Sequence, residues 1–201
     1  SGSSGNSNSF TWVGGTETNG NDTILGTDVK ISNQNLKASS VNSGGWGTSG
    51  NVHSAEALKG ASGITFTTEQ TNKPIMVGLG KSSLQTSNTW AWVREAIYLR
   101  SNAEWDIRRN GSGDESYIDR VSYSAGDTFS VIYDGKNVTY TQAGSEDRSY
   151  SFPVLAENET FQAGISFNNA NAHIDNVYFN PTGAAGTSGT SGSSGSSGSS
   201  G

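Results

Sequence analysis

Cysteine is absent from the 201 residues, which excludes disulfides and thiolate metal sites and leaves the redox compartment unread. Charged residues are scarce at 15%; helical bundles need Glu, Lys and Arg on their surfaces, so a helical fold is disfavoured. No apolar run approaches the roughly 18 residues of a membrane span. The amino terminus also lacks a basic segment followed by an apolar one, so the chain reads as soluble, with any export signal lying outside it. Cationic excess is missing too. The net charge is −6, whereas nucleic-acid affinity rests on clustered Lys and Arg that release counterions. Nucleic acid is therefore not an expected partner.

What is present is glycine, serine, threonine and asparagine. After Pro181 a glycine stands at every third position from Gly183 to Gly201, with Ala, Thr or Ser between, and Gly2 and Gly5 keep the same spacing at the start. Two readings stand. Low side-chain bulk alone makes a flexible linker. A three-chain helix of collagen type needs glycine at every third place because only hydrogen fits its axis, although this tract lacks the proline that pre-orders such chains. The tract resembles the Gly-X-Y runs of bacteriophage tail fibres, which would imply self-association into a trimer or fibre. The expected organisation is a Gly/Ser-rich flank over 1–9, one domain over 10–181 and a repeat tail over 182–201.

Within the domain, short β-branched and aromatic runs recur at about ten-residue spacing between Gly, Asn, Asp and Ser clusters, the pattern of an all-β antiparallel two-sheet sandwich. Strands are predicted near 29–33, 35–39, 63–68, 75–80, 91–100, 104–109, 116–123, 128–133, 138–142, 149–154, 161–167 and 173–179. Phe129, Val131 and Tyr133 alternate with polar residues, as do Phe161, Ala163, Ile165 and Phe167, so those faces are core. Asp134-Gly135-Lys136-Asn137 reads as the turn of a hairpin. Phe10 to Val13 is a β-prone piece that would either pack on its own domain or add to a neighbour's sheet.

The order of Val77-Gly78-Leu79-Gly80, Ala96-Ile97-Tyr98-Leu99, Gly126-Asp127-Thr128-Phe129 and Asn137-Val138-Thr139-Tyr140 resembles the core of concanavalin A-like lectin/glucanase jelly rolls. The ending Ile174-Asp175-Asn176-Val177-Tyr178-Phe179 is similar to the last strand of laminin-G-like jelly rolls. The resemblance implies two packed sheets, one often concave and used for carbohydrate, in secreted or virion proteins; it does not imply one function.

Laminarinase-like members carry Glu-x-Asp-x-x-Glu on one strand, because glycoside hydrolysis needs a flanking carboxylate pair. Here Glu104-Trp105-Asp106 is followed by Arg109 where the second glutamate should stand, so no catalytic residue is assigned. Glu104, Asp106 and Arg108 read as a solvated, charge-balanced strand face, and Glu95 and Glu115 as unpaired, solvent-facing glutamates. His53 and His173 show no metal-ligand or triad spacing, and no metal is assigned. Calcium at Asn19 to Asp22 or Asn168 to Asp175 is chemically open, though turn chemistry explains those loops more simply.

Aromatics are the better lead. Trp90, Trp92, Arg94 and Tyr98 fall on one face of a strand and could stack on sugar rings while arginine donates hydrogen bonds; the tryptophans could equally fill the core. Trp12 and Trp46 read as loop anchors and Trp105 as inward-facing. Sequons at Asn21, Asn110, Asn137 and Asn158 are as many as composition gives by chance, with Asn110 and Asn137 the accessible ones in turns. The sequence thus predicts a non-enzymatic adhesion or structural module of an extracellular or virion fibre, with surface glycans as its candidate ligand. A glycosidase and a bead assembled by strand donation are the alternatives.

Overall fold

The computed structural model describes residues 11–12, 16–18, 22–25, 29–32, 37–40, 45–46, 50–81, 90–111, 117–155 and 160–180. The Gly/Ser flanks, Asn21, Glu115 and Asn158 lie outside these. Among the described residues the strands are β1 (Thr16–Thr18), β2 (Asp22–Leu25), β3 (Val29–Ser32), β4 (Lys37–Ser40), β5 (Asn51–His53) and β6 (Leu58–Lys59). Then come β7 (Ser62–Thr67), β8 (Ile75–Gly80), β9 (Val93–Leu99), β10 (Glu104–Arg109) and β11 (Val121–Ser122). The last five are β12 (Thr128–Tyr133), β13 (Asn137–Ala143), β14 (Arg148–Pro153), β15 (Thr160–Phe167) and β16 (His173–Asn180). They form two antiparallel sheets: nine strands in the order β1-β2-β3-β4-β16-β7-β12-β13-β14, and seven comprising β11-β10-β9-β8-β15-β5, with β6 also paired to β15.

The hairpin read at 134–137 is present: β12 pairs β13 from Thr128↔Ala143 to Tyr133↔Val138. Its turn is held by Asp134 Oδ1, which accepts from the backbone N–H of Lys136 (2.8 Å) and Asn137 (2.7 Å), with Gly135 at φ +101° where only glycine is unstrained. Two expectations shift. Asn137 is the first, half-buried residue of β13 rather than a turn residue, while Asn110 is exposed at φ +56°. The strand read over 116–123 shrinks to the two residues of β11. Trp12 is buried and bridges Ser54, and the Ala55 N–H donates to Thr11 O at 2.7 Å, so this segment docks on its own domain beside β5.

The two sheets differ in how they meet water. β13 and β14 alternate strictly between inward and outward positions, and their outer face is a hydroxyl ladder that includes Thr139 Oγ1 donating to Ser151 Oγ at 3.1 Å. An antiparallel sheet with one solvated face behaves this way. In the seven-stranded sheet every residue of β8 is buried, as are seven of eight in β15. Its inner face joins the main core through Ile75, Val77, Leu79, Ile97, Leu99, Trp105, Ile107 and the aromatic and aliphatic residues of β15. Its outer face carries a second apolar cluster: Met76, Trp92, Val93 and Ala96, with Trp46, Trp90 and Tyr98 packed against it.

Glycines make that second cluster possible. A Cβ at Gly80 would lie 2.6 Å from Cε3 and Cζ3 of Trp92, and one at Gly164 would lie 2.7 Å from its Cη2. Their hydrogens therefore leave the space the indole fills.

A buried polar group ties the sheets together. Arg109 Nε donates to Glu95 Oε2 at 2.7 Å and its Nη2 to Glu95 Oε1 at 3.0 Å, while Tyr140 Oη of the opposite sheet also donates to Glu95. Arg109 Nη2 further reaches the Pro153 carbonyl at 2.7 Å. Burial, then the Glu95 charge, pushes the Tyr140 phenol well above its usual range, so it remains a donor. Glu95, expected in solvent, is 2% exposed: Arg109 and Tyr140 satisfy both of its oxygens.

Replacing Gly164 by alanine is expected to cost about 1–3 kcal/mol in denaturant unfolding through overpacking, and clearly less in a Trp92→Leu background; equal costs in both would show that the ring and the glycine are not coupled. Arg109→Met alone should cost about 3–5 kcal/mol by leaving Glu95 buried and unpaired. Combining it with Glu95→Leu should restore part of that loss, and an additive double mutant would contradict the inter-sheet pairing.

Candidate functional site

Sheet register sorts the outer face of the seven-stranded sheet into rows. One row runs Asp106, Tyr98, Met76, Ser166, Asn51, and the next Arg108, Ala96, Gly78, Gly164, His53. Arg120 directly precedes Val121, whose partner Trp105 precedes Asp106, and its charge acts on the Tyr98 phenol. Small residues thus occupy the middle of the sheet, and long polar side chains its β10–β11 side.

The four residues singled out for sugar contact meet on this face but do not share one strand. Trp90 to Trp92 form a single 3-10 turn ahead of β9, anchored by the Lys81 N–H donating to the Trp92 carbonyl at 3.0 Å. Trp92 is 0% exposed, which corrects its reading as a contact residue: it is the floor on which Trp46, Trp90 and Tyr98 rest. Trp90 stays half-buried at the surface. Register skips Arg94, since Leu79 faces Glu95 and Gly80 faces Val93, so Arg94 is the extra residue of a β-bulge, a device that re-aims a side chain.

Tyr98 sits at the centre of the polar side. Arg100 Cζ lies 4.6 Å and Arg108 Cζ 5.4 Å from its ring centroid, and Trp46 meets it edge-on at 5.7 Å. With its ring so attended, the hydroxyl is what Tyr98 can offer a ligand. Burial pushes its pKa up, against the pull of Arg100, and it stays neutral. Asp106, 0% exposed, accepts from Arg100 Nε (2.7 Å) and Arg108 Nε (2.8 Å). The face of Glu104, Asp106 and Arg108, expected to be solvated, is therefore largely buried: paired guanidiniums allow it, because buried carboxylates need such partners.

Three buried polar atoms on this face have no hydrogen-bond partner: Asn51 Nδ2, Trp92 Nε1 and Gln162 Oε1. Each would cost about 1–3 kcal/mol if left dry. His53 is satisfied, its Nδ1 lying 2.7 Å from the Ser54 carbonyl. His173 is half-buried with Nε2 3.4 Å from Asp175 Oδ2. Among the described residues no group of three or more His, Asp or Glu is placed to hold a metal ion; in the 168–175 loop Asp175 pairs with Lys37 at 3.0 Å. Residues 117–120, next to this face, line an open groove of about 410 Å³. Sequence reasoning missed Arg100, Arg108 and Arg120 as parts of the site; the one available signal was that Arg108 shares strand parity with Asp106.

No family model matches the chain, and no curated protein matches it in sequence. Among solved structures it is similar to the TRIM65 PSpry domain, at 12% identity over 74% of this chain and 82% of that one, with a TM-score of 0.53. Likeness to the calcium- and mannose-bound exoplasmic/lumenal domain of VIP36 has 8% identity, 86% and 82% coverage and a TM-score of 0.48. For the metal-free lectin I-B4 from Griffonia simplicifolia the figures are 13%, 88%, 94% and 0.46. At these identities the likeness concerns the fold alone, that of an antiparallel two-sheet β-sandwich of jelly-roll type.

Proposed function

We propose that this chain is a non-enzymatic glycan-recognition module carried on an extracellular or virion fibre, and that it binds sugar on the outer face of its seven-stranded sheet. One observation carries the reading: that face is built up with half-buried aromatic side chains, Trp46, Trp90 and Tyr98, on a buried Trp92. Half-exposed indoles offer sugar rings an apolar face, and the bulged Arg94 and the Tyr98 hydroxyl offer hydrogen-bond donors nearby. Sugars, with alternating apolar faces and hydroxyl edges, need that combination.

Two placements support a binding rather than a hydrolytic role. Glu95 faces the core, held by Arg109 and Tyr140, and Asp106 is held by two arginines. Neither is half of an open carboxylate pair of the kind hydrolysis uses. The Gly-X-Y tract after residue 182 supports the fibre setting, as a stalk that would multiply weak sugar contacts through avidity.

A glycan array should give selective binding by the intact chain. Trp46→Ala and Trp90→Ala should each weaken it about tenfold, roughly 1.4 kcal/mol, while near-ultraviolet circular dichroism stays native. No binding on the array, or binding unchanged in the double variant, would sink the reading and leave a structural bead.

A further inference from the structure

The outer face does not share the charge of the chain that carries it. Overall the net charge is −6, yet the charged groups acting on Tyr98 are Arg100, Arg108 and Arg120 against the one carboxylate of Asp106. Arg94 stands at the bulge of β9, so besides the core-facing Arg109 four of the chain's six arginines belong to this side: Arg94 on β9, Arg100 just after it, Arg108 on β10 and Arg120 ahead of β11. Of the other carboxylates nearby, Glu104 accepts from Asn102 Nδ2 at 2.7 Å, and Asp119 precedes Arg120 in the groove of residues 117–120.

The division of labour among these arginines is informative. Arg100 and Arg108 are committed to Asp106, which lets them remain as cations in a mostly buried layer. The side chains of Arg94 and Arg120 have no hydrogen bond or ion pair among the described residues, and Arg120 is exposed. Two paired guanidiniums therefore sustain a positive field, and two unpaired ones carry free planar forks. Arginine forks match the two oxygens of a carboxylate or sulfate bidentately, and such charge-assisted bonds are about twice as strong as neutral ones. A neutral sugar would accept from these forks only through uncharged hydroxyls, without the bidentate charge-assisted pairing. Nor is the cluster a general fold support, since removing Arg120 would expose no buried anion.

We infer that the glycan this module takes is acidic, its carboxylate or sulfate seated at Arg120 beside Tyr98, with Arg94 a further cationic donor along β9 and a neighbouring sugar ring packed on the Trp46 and Trp90 side. This rests on the glycan-binding reading above. It also names the element that selects: the arginine side of the face chooses anionic sugars, and the aromatic side supplies contact area. The field would speed encounter with acidic chains and weaken as salt screens it.

The test uses the full chain in titration calorimetry against five probes: oligogalacturonate, a heparin-derived sulfated oligosaccharide, neutral malto-oligosaccharides, neutral mannan, and a single-stranded oligonucleotide as a bare polyanion. At least one acidic glycan should bind about tenfold or more tightly than the neutral ones. That preference should fall as salt rises from about 0.05 to about 0.5 M. Arg94→Gln and Arg120→Gln should each remove about tenfold of the acidic affinity, one charge-assisted bond, without moving the melting temperature. The uronate and sulfate arms show which anion fits. Equal or better binding of neutral glycans would overturn the inference while leaving the glycan reading intact. Equal binding of the oligonucleotide would also overturn it, by showing a surface indifferent to sugar. No binding to any sugar would overturn both.

Discussion

An indole packed into a space left by glycines is the contact on which the outer face of the seven-stranded sheet depends. Burying about 200 Å² of Trp92 at about 25 cal/mol/Å² contributes on the order of 5 kcal/mol as an upper figure. Its unpartnered Nε1 subtracts about 1–3 kcal/mol, so the burial prevails. Gly80 and Gly164 leave the space for the ring, Met76 and Ala96 surround it, and Trp46, Trp90 and Tyr98 rest against the result. Without it, the outward positions of Gly78, Gly80 and Gly164 would stand bare.

Polar groups complete the architecture by being placed where they cannot be left unpaired. Glu95, Arg109 and Tyr140 join the sheets along one edge of the core. A second link runs from Trp105 Nε1 to Gln142 Oε1 at 2.6 Å and from Gln142 Nε2 to Asp127 Oδ2 at 2.8 Å. Burial pushes the Asp127 carboxyl up, but N–H and O–H donors from Ser124, Ser145 and Gln142 outweigh it and hold the group below the usual carboxylate range. Its contribution to stability is therefore present above the unfolded value of about 3.9 and is lost as pH falls through the lower folded value. Such links fix the spacing of the sheets and leave the outer face free to vary.

Much of the sandwich was legible because alternation survives where one face meets water. β12 and β13 and their turn could be read from Phe129, Val131, Tyr133 and Asp134-Gly135, since a period of two is the direct imprint of a half-solvated strand. β1, β2, β5 and β6 went unread: they are two to four residues long, and all three residues of β5 are buried, which erases the period. The site was half legible. Trp90, Trp92, Arg94 and Tyr98 were read together on one strand face, whereas a turn and a bulge stand there and Trp92, for which a core role was also open, is buried. β8, Ile75-Met76-Val77-Gly78-Leu79-Gly80, carried the missing clue. An antiparallel strand with no polar residue is buried on both sides, and its glycines mark where something else comes close.

The central claim is that the built-up outer face of the seven-stranded sheet is the ligand surface. Backbone amide chemical-shift mapping during titration with a bound glycan tests it most directly, because it reports place rather than affinity. The account predicts shifts concentrated at Trp46, Trp90 to Tyr98, Asp106 to Arg108 and Arg120, together with the indole N–H signals of Trp46 and Trp90. Shifts confined to β13 and β14, on the hydroxyl-lined face of the other sheet, would contradict it.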